Sequence, residues 1–408
     1  MEWQMKLLLI SSFFIFYPNL FYPLFLRGLA RVFRRPWKTA PQFPSVSILI
    51  AAHNEEKGIR DKIENTLALK YPQDRLEILI ASDGSTDESD SILNEYVGRV
   101  HFFRTKGRVG KQVALNQIVE KAKGEIFVFT DVGLLLEPSA LEKIVRSYAD
   151  SRIGAVSGSV AIRRPPSSLA SDNGEAGYLG WDARIRYLEG QVSSITGCCG
   201  LIYSIRRDCH VPFVPSVAND LAAALDVVRI GRNAVVDPEV IGYSRSANDY
   251  RKEFRRKVRT IVGGIDAVWR SGVLIWGLRF PLFYFLLISH KILRWMSPIA
   301  MVVALGSIGA GALSGVPYFA HLSVLSLTFL SLGSIGLLFS HDSLRHSPLR
   351  YFTFLLVSMT AGFFACFEFA LGKKYVTWGP THRDRIDDVH LVTEAPEEVP
   401  LSKTGTGK

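Results

Sequence analysis

Cysteine is scarce: the 408 residues contain four, of which Cys198 and Cys199 are adjacent and Cys366 lies in an apolar run. Four thiols cannot staple a chain of this length, so a disulfide scaffold is excluded and packed, reduced thiols facing a cytosol are expected. None of them pairs with a further Cys or His at zinc-ligand spacing. Charge is sparse as well, at 21% of residues against 48% hydrophobic, with a mean hydropathy of +0.16. Disorder over most of the chain is thereby excluded, because it requires low hydrophobicity. Between Met296 and Ser340 there is no Asp, Glu, Lys or Arg at all. That gap holds two helices of roughly 20 residues, the length that crosses a bilayer. Gly315 to Pro317 is the natural break between them.

Other apolar runs flank this one. Leu7 to Leu26 is a further candidate span, although Pro18, Asn19 and Pro23 lie inside it. No small-residue cleavage site follows, so a signal anchor is expected rather than a removable leader. Arg27, Arg31, Arg34, Arg35 and Lys38 come next, a positive flank that puts the N-terminus outside and the following domain in the cytoplasm. Tyr351 to Gly372 offers another span, with Glu368 near its end snorkelling to the surface or serving a function. Val273 to Trp295 mixes Trp, Phe and Leu with Arg279, Lys291 and Arg294, which fits an interfacial helix or a crossing. A crossing returns the basic tail (Lys373, Lys374, Arg383, Arg385) to the cytoplasm, and charge favours that. The division expected is an anchor at 1–40, a cytoplasmic domain at 41–270, an interfacial helix and spans at 271–385, and a disordered tail at 386–408.

From Pro44 to Arg259 the pattern alternates between strand and helix. Val46 to Ala52 and Leu76 to Ser82 are short apolar runs of the buried parallel kind. Val100 to Arg104 and Glu125 to Thr130 follow as third and fourth strands. Helices are expected over Lys57–Leu69, from Ser85 or Thr86 to Tyr96, over Arg108–Lys123 closed by Gly124, and after Pro138. The fold class predicted is α/β, an open and mostly parallel sheet wrapped on both faces. Ligands in such sheets bind beyond the carboxyl ends of the strands. Those ends carry His53-Asn-Glu-Glu56, Asp83-Gly-Ser-Thr-Asp87 and Asp131-Val-Gly133. Each alone reads as a turn or helix cap; three at one edge read as a site.

The ordered set Ala52-His-Asn-Glu55, Ser82-Asp-Gly-Ser-Thr-Asp87, Gly110-Lys111 with Leu115-Asn116, Thr130-Asp131, Asn219-Asp220, Glu253 to Arg259 and Trp378 to Arg383 resembles the membrane-embedded family 2 glycosyltransferases, the group of cellulose and hyaluronan synthases. The resemblance implies a GT-A (Rossmann-like) domain between an N-terminal transmembrane helix and a C-terminal helix bundle. It also implies an inverting transfer from a nucleotide sugar, a UDP-sugar, to a lipid-linked or polysaccharide acceptor at the cell membrane.

Such a transfer needs the base read, the diphosphate neutralised and the acceptor hydroxyl deprotonated. Asp83, at a strand end, can accept from a uracil N–H, and the resemblance assigns its match to the nucleoside; Glu55 would wall the same pocket. Lys111 stands near a helix start, where a cation and free N–H groups suit phosphate, or it is a solvated surface lysine. Asp131 resembles the first carboxylate of the family's Asp-X-Asp motif, which implies Mg²⁺ or Mn²⁺, yet Gly133 replaces the second acid. Asp220 is the expected general base, or an N-cap for a helix over Leu221–Ile230. Asn219 replaces the acid before it. Arg259, Arg256 and Thr260 fall on the Arg, Gln and Trp of the family's Gln-X-X-Arg-Trp site, with Arg259 and Arg256 on the substrate and some neighbouring cations on anionic lipid. A nucleic-acid helix is rejected for this basic run, which lies just before the membrane. Gly197 to Tyr203 resembles the family's small-residue segment before an Arg-Arg pair, here Arg206-Arg207, where glycine lets backbone approach the sugar or acceptor; Tyr178 to Leu188 is read as an acceptor-side helix, and Trp181 as a sugar platform. Rival readings are a nonprocessive glycolipid-forming transferase, a silent nucleotide-binding membrane scaffold, and a nucleotidyltransferase, which leaves the membrane runs unexplained.

Overall fold

The computed structural model describes residues 2–162, 173–244, 250–339, 344 and 347–378. It begins with α1 (Glu2–Phe16), which passes through a π-helical turn at Tyr17–Phe21 into α2 (Tyr22–Val32). Pro18 and Pro23 each fall in the first turn of a new segment, where a missing N–H is tolerated, so the helix continues past them. An alternating stretch follows: β1 (Val46–Ala52), α3 (Ile59–Leu67), β2 (Leu76–Ser82), α4 (Ser89–Asn94), β3 (His101–Arg104), α5 (Lys111–Val119) and β4 (Ile126–Thr130). The second half of the sheet domain comprises β5 (Leu135–Leu136), α6 (Ala140–Arg146), β6 (Ile153–Ile162), α7 (Asn173–Val192), β7 (Ile202–Arg206), α8 (Asn219–Arg229) and β8 (Asn233–Ser244). The helical remainder is α9 (Tyr250–Ser271), α10 (Val273–Trp276), α11 (Pro281–Leu287), a π turn at Ile288–Ile292, α12 (Leu293–Leu313), α13 (Pro317–Gly336) and α14 (Leu349–Ala370).

All strands join one sheet in the order β3-β2-β1-β4-β7-β6-β8-β5. β3, β2, β1 and β4 are mutually parallel, whereas β7 runs antiparallel to both β4 and β6, and β5 antiparallel to β8. The sheet is therefore mixed, with its parallel block in the first half. The side-chain period of two sends Val46, Ile48 and Ile50 of β1 to one face and Leu49 and Ala51 to the other. β2 is in register with it, Ile48 opposite Ile78 and Ile50 opposite Ile80, so each face is continuous. Ile59 and Ile63 of α3 and Leu141 and Ile144 of α6 cover the first face. Ala114, Leu115 and Ile118 of α5 and Ala223, Ala224 and Val227 of α8 cover the second.

α8 has a second apolar side. Leu221, Leu225 and Val228 pack on Ala267 and Val268 of α9, Val273 of α10 and Phe283 and Leu287 of α11. Tyr22 and Leu26 of α2 meet Ile185 and Val192 of α7 and Leu286 of α11. The sheet domain is thus bolted to the apolar helices through α7 and α8. At the α7 bolt, the buried Glu189 carboxylate accepts from Tyr22 at 2.7 Å and from the Thr196 amide at 3.1 Å, with His290 Nδ1 at 2.7 Å.

Several expected boundaries shift. α5 stops at Val119, and Gly124 is no C-cap: a Cβ there would lie 2.5 Å from the Ser47 nitrogen, so glycine is required by the close approach to β1. The helix expected at Leu221 begins at Asn219 with Ala218 as N-cap, which removes Asp220 from the capping position. Val273 to Trp295 is not one helix. Its first part is α10 and a 3₁₀ turn, set at 62° to α9, while Pro281 onward belongs to the next long helix. Among the described residues four helical stretches are long and apolar enough to cross a membrane: Glu2–Val32, Pro281–Leu313, Pro317–Gly336 and Leu349–Ala370. The bent α9–α10 pair qualifies only when taken as one.

Candidate active site

Three loops meet beyond the carboxyl ends of β1, β2 and β4. The β1 loop turns at Asn54, whose φ of +53° lies in the left-handed region that Asn tolerates. Its Oδ1 accepts from the Thr86 amide at 2.8 Å, and the Glu55 amide donates to Ser89 Oγ at 2.8 Å, so the β1 and β2 loops are stitched together. Glu55 is half-buried in this seam. His53 places Nδ1 2.7 Å from the Asp83 carbonyl oxygen.

Asp83 is fully buried. Its two carboxylate oxygens accept from the Val109 and Gly110 amides at 2.7 and 3.0 Å. It thereby shapes the loop that delivers Lys111, rather than pointing into open solvent. Gly110, at φ +100°, is the hinge of that loop, and a Cβ on it would stand 2.5 Å from the Val376 carbonyl oxygen. Sequence reasoning missed Val376, yet the segment after α14 lies directly on this loop. Arg108 donates to the Trp378 carbonyl, and the Trp378 ring meets His53 edge-on at 6.0 Å. Of the motif read over Trp378 to Arg383, only Trp378 lies within the described residues.

Lys111, on the first turn of α5, holds its Nζ 2.5 Å from Asp131 Oδ1. Arg259 of α9 lies within electrostatic reach of Asp131; burial lowers its pKa and that carboxylate opposes the change. Arg256, expected beside it, is turned instead to Glu253 in a two-pronged ion pair at 2.8 and 2.9 Å, and its side chain is half exposed. The structure leaves Arg259 within the field of Asp131 and turns Arg256 to Glu253. The helical period puts positions three apart on neighbouring but not identical faces.

Asp220, half-buried, stands on the first turn of α8. Burial raises its pKa, opposed by the Leu221 amide, by Lys291 and by Lys111. Its own carbonyl accepts from the Cys198 amide at 3.1 Å, and a Cβ on Gly200 would approach Asp220 Oδ2 to 3.0 Å. The Gly200 backbone therefore lies against the Asp220 carboxylate. Cys198 and Cys199 are free thiols with pKa pushed up by burial, which makes them packing residues. Asn219 donates to the Tyr203 hydroxyl at 2.8 Å, so the replaced acid now braces β7. Trp181 has Arg27 over its ring at 5.3 Å, which occupies one face of the proposed platform. Glu368 pairs with Lys373 at 2.5 Å at the end of α14, the snorkelling arrangement.

The acids and cations thus gather in two steps: Asp83 positions Lys111, and Lys111 bridges towards both Asp131 and Asp220. Among the described residues no group of three or more His, Cys, Asp or Glu is set to hold a metal. Asp131 supplies one hard oxygen ligand at the site edge. That donor set fits an ion completed by phosphate oxygens and water, the usual state of Mg²⁺ in phosphate sites, and not a preformed protein cage.

A helix-wrapped sheet of this topology, with carboxylates and cations at the open ends of its parallel block, is a GT-A-like fold. The solved mannosyltransferase from Pyrobaculum calidifontis, in complex with GDP-Man and Mn²⁺, superposes with a TM-score of 0.69 over 91% of this chain and 100% of its own, at 21% identity. Residues 47–205 match the family described as Glycosyl transferase family 2. It is 27% identical over 263 residues to a probable glycosyltransferase, YdaM, of Bacillus subtilis, covering 60% of this chain and 62% of that one. It is 24% identical over 248 residues to the poly-β-1,6-N-acetyl-D-glucosamine synthase of Staphylococcus aureus, covering 58% and 59%. The chain thus spans about three fifths of the length of these curated relatives.

Proposed function

We propose that the protein is an inverting glycosyltransferase that moves a sugar from a nucleotide-sugar donor to a lipid-linked or glycan acceptor at the membrane. The observation that carries this reading is the convergence of Asp131, Lys111 and Arg259 on one side of the site and the half-buried Asp220 on the other. The pair of cations suits a diphosphate leaving group, whose charge grows as the anomeric bond breaks. Asp220, desolvated but kept in check by Lys291 and Lys111, suits a base that takes the acceptor hydroxyl proton as the new bond forms. The loop shaped by Asp83 and walled by Glu55 is where the nucleoside belongs. A divalent ion, Mg²⁺ or Mn²⁺, held by Asp131 would add charge neutralisation at the diphosphate. With Gly133 in place of a second acid, its binding depends on the donor. Arg256 contributes to the field of the site rather than to a contact.

The same proposal includes topology and division: an anchor, a cytoplasmic sheet domain and C-terminal spans. α9 packs on the domain through α8 and on α14 through Val258, Val262, Ala361 and Ala365, and the chain after α14 comes back to Gly110 and His53. A chain that leaves and returns on one side crosses an even number of times. Hence either the bent α9–α10 pair enters the bilayer or one of the three later stretches does not traverse it. The degraded Gln-X-X-Arg-Trp site, with Arg256 turned away, favours single transfer over processive synthesis as the second reading.

The test is a donor panel with detergent-purified full-length protein: UDP- and GDP-sugars, Mg²⁺ or Mn²⁺, and membrane lipid extract as acceptor. Nucleotide diphosphate release from one donor, lost in Asp220→Asn, supports the transferase. Nucleotide binding without turnover under all conditions overturns it in favour of the silent scaffold.

A further inference from the structure

Lys62 was not among the residues the sequence singled out, and among the described residues it is the one lysine that is fully buried, at 0% exposure. It stands on α3 between Ile59 and Ile63, on the face that packs under β1 and β4. An ammonium group in that place is costly unless its donors are used. They are used on a single loop. Nζ donates to Thr130 Oγ1 at 3.0 Å and to the Leu134 carbonyl at 2.7 Å. Thr130 is the last residue of β4 and Leu134 the residue before β5, so the two bonds clip both ends of the turn that presents Asp131 and Gly133. One helical turn later Asn65 repeats the grip on Leu136, donating to its carbonyl and accepting from its amide, each at 2.8 Å.

The two grips differ in kind. Asn65 is neutral and holds the far strand. Lys62 brings a titratable amine to the rear of the Asp131 turn, and Asp131 is the carboxylate whose field acts on it. Burial lowers the Lys62 pKa to about 7, and the Asp131 charge opposes that fall. A turn clipped by a lysine from behind, whose carboxylate meets Lys111 in front, is held in one place.

Resting on the glycosyltransferase reading above, we infer that Lys62 is a positioning residue, which clips the Thr130–Leu134 turn from the protein interior so that Asp131 meets the metal–diphosphate of the donor. It touches neither substrate nor ion. Methionine fills a similar volume without the donors, so Lys62→Met removes the clip and leaves the packing.

The experiment compares full-length wild type, Lys62→Met and Asn65→Ala in detergent. Mn²⁺ binding is read by electron paramagnetic resonance with UDP or GDP present, alongside apparent Tm and steady-state release of nucleotide. The expected result for Lys62→Met is about tenfold weaker Mn²⁺ binding and a similar drop in kcat, with KM for the acceptor unchanged. Asn65→Ala should lower Tm while keeping Mn²⁺ affinity within about twofold. Should Lys62→Met not fold, Thr130→Val, which removes one of the two acceptors, is expected to weaken Mn²⁺ binding about threefold. Wild-type affinity in Lys62→Met, or in Thr130→Val where that variant stands in, overturns the inference alone, as does equal loss of affinity in Asn65→Ala. Wild-type protein that binds no Mn²⁺–nucleotide and turns over no donor overturns the glycosyltransferase reading, and this inference with it.

Discussion

Asp220→Asn separates catalysis from stability in a way that few other substitutions in this chain can. Asparagine keeps the shape of the side chain and the bond to the Leu221 amide, but it cannot take a proton from an acceptor hydroxyl. General-base catalysis contributes on the order of 10²–10⁴-fold, or about 3–5 kcal/mol of transition-state free energy, and that is the expected loss in kcat. Stability should move the other way. Burial raises the Asp220 pKa above its unfolded value, against the opposition of the Leu221 amide, Lys291 and Lys111. The folded state therefore binds this proton more tightly than the unfolded state does. The sign follows: the contribution is complete below the unfolded pKa and is lost as pH rises through the folded one. Asn has no charge to bury, so the mutant's apparent Tm should match wild type most closely near pH 4 and exceed it at pH 8. Nucleotide release and fluorescence-detected melting on the same detergent preparations measure both arms. A mutant that keeps more than a tenth of wild-type turnover, or one that melts below wild type at pH 8, would refute the assignment of Asp220 as a desolvated base.

Arg259→Ala should cut kcat about 10²–10³-fold, the loss seen when one charge-stabilising donor is removed, whereas Arg256→Ala, which breaks only the half-exposed pair with Glu253, should stay within about threefold; equal effects would contradict the geometry. Gly110→Ala forces a side chain into φ +100° and towards the Val376 carbonyl at 2.5 Å, so a destabilisation of about 1–3 kcal/mol and a raised donor KM are expected from melting and kinetics. Leu225→Ala, at the α8 bolt between the sheet and the apolar helices, should cost about 2–5 kcal/mol with little change in KM, read by denaturation in detergent. Asp226, pushed up to about 6 by burial against the pull of Arg229, loses stability as pH rises from its unfolded value through 6. Asp226→Asn should therefore stabilise at pH 7 by about 1–2 kcal/mol, after allowance for partial solvent screening, and by nothing measurable at pH 4.

Much of the fold could be read from the sequence because its signals are local. Val46–Ala52 and Leu76–Ser82 are bounded as expected, since each is a short apolar run followed at once by turn residues; the one charge, Glu77, lies at the half-buried start of β2. The three acidic strand ends were visible for the same reason: turn residues follow each buried run directly. Helix limits were less legible, as α5 shows, because Gly124 resembles a terminator and is in fact small for the sake of Ser47 on β1. Asp220 likewise resembles a cap in the sequence, whereas the helix starts one residue before it.

The sequence alone determined the parallel half of the sheet, the apolar helices and the identity of the charged residues at the strand ends, because each depends on neighbours within a few positions. Only the tertiary structure decided how those charges are used. It gave both Asp83 oxygens to the Val109 and Gly110 amides, paired Lys111 with Asp131, turned Arg256 to Glu253 while leaving Arg259 in the field of Asp131, and returned Trp378 to His53. It also placed Lys62 beneath the Asp131 turn. Apart from the Arg256–Glu253 pair within α9, these pairings join residues tens to hundreds of positions apart, and a buried charge has no preferred partner until the packed core removes water and leaves one in reach.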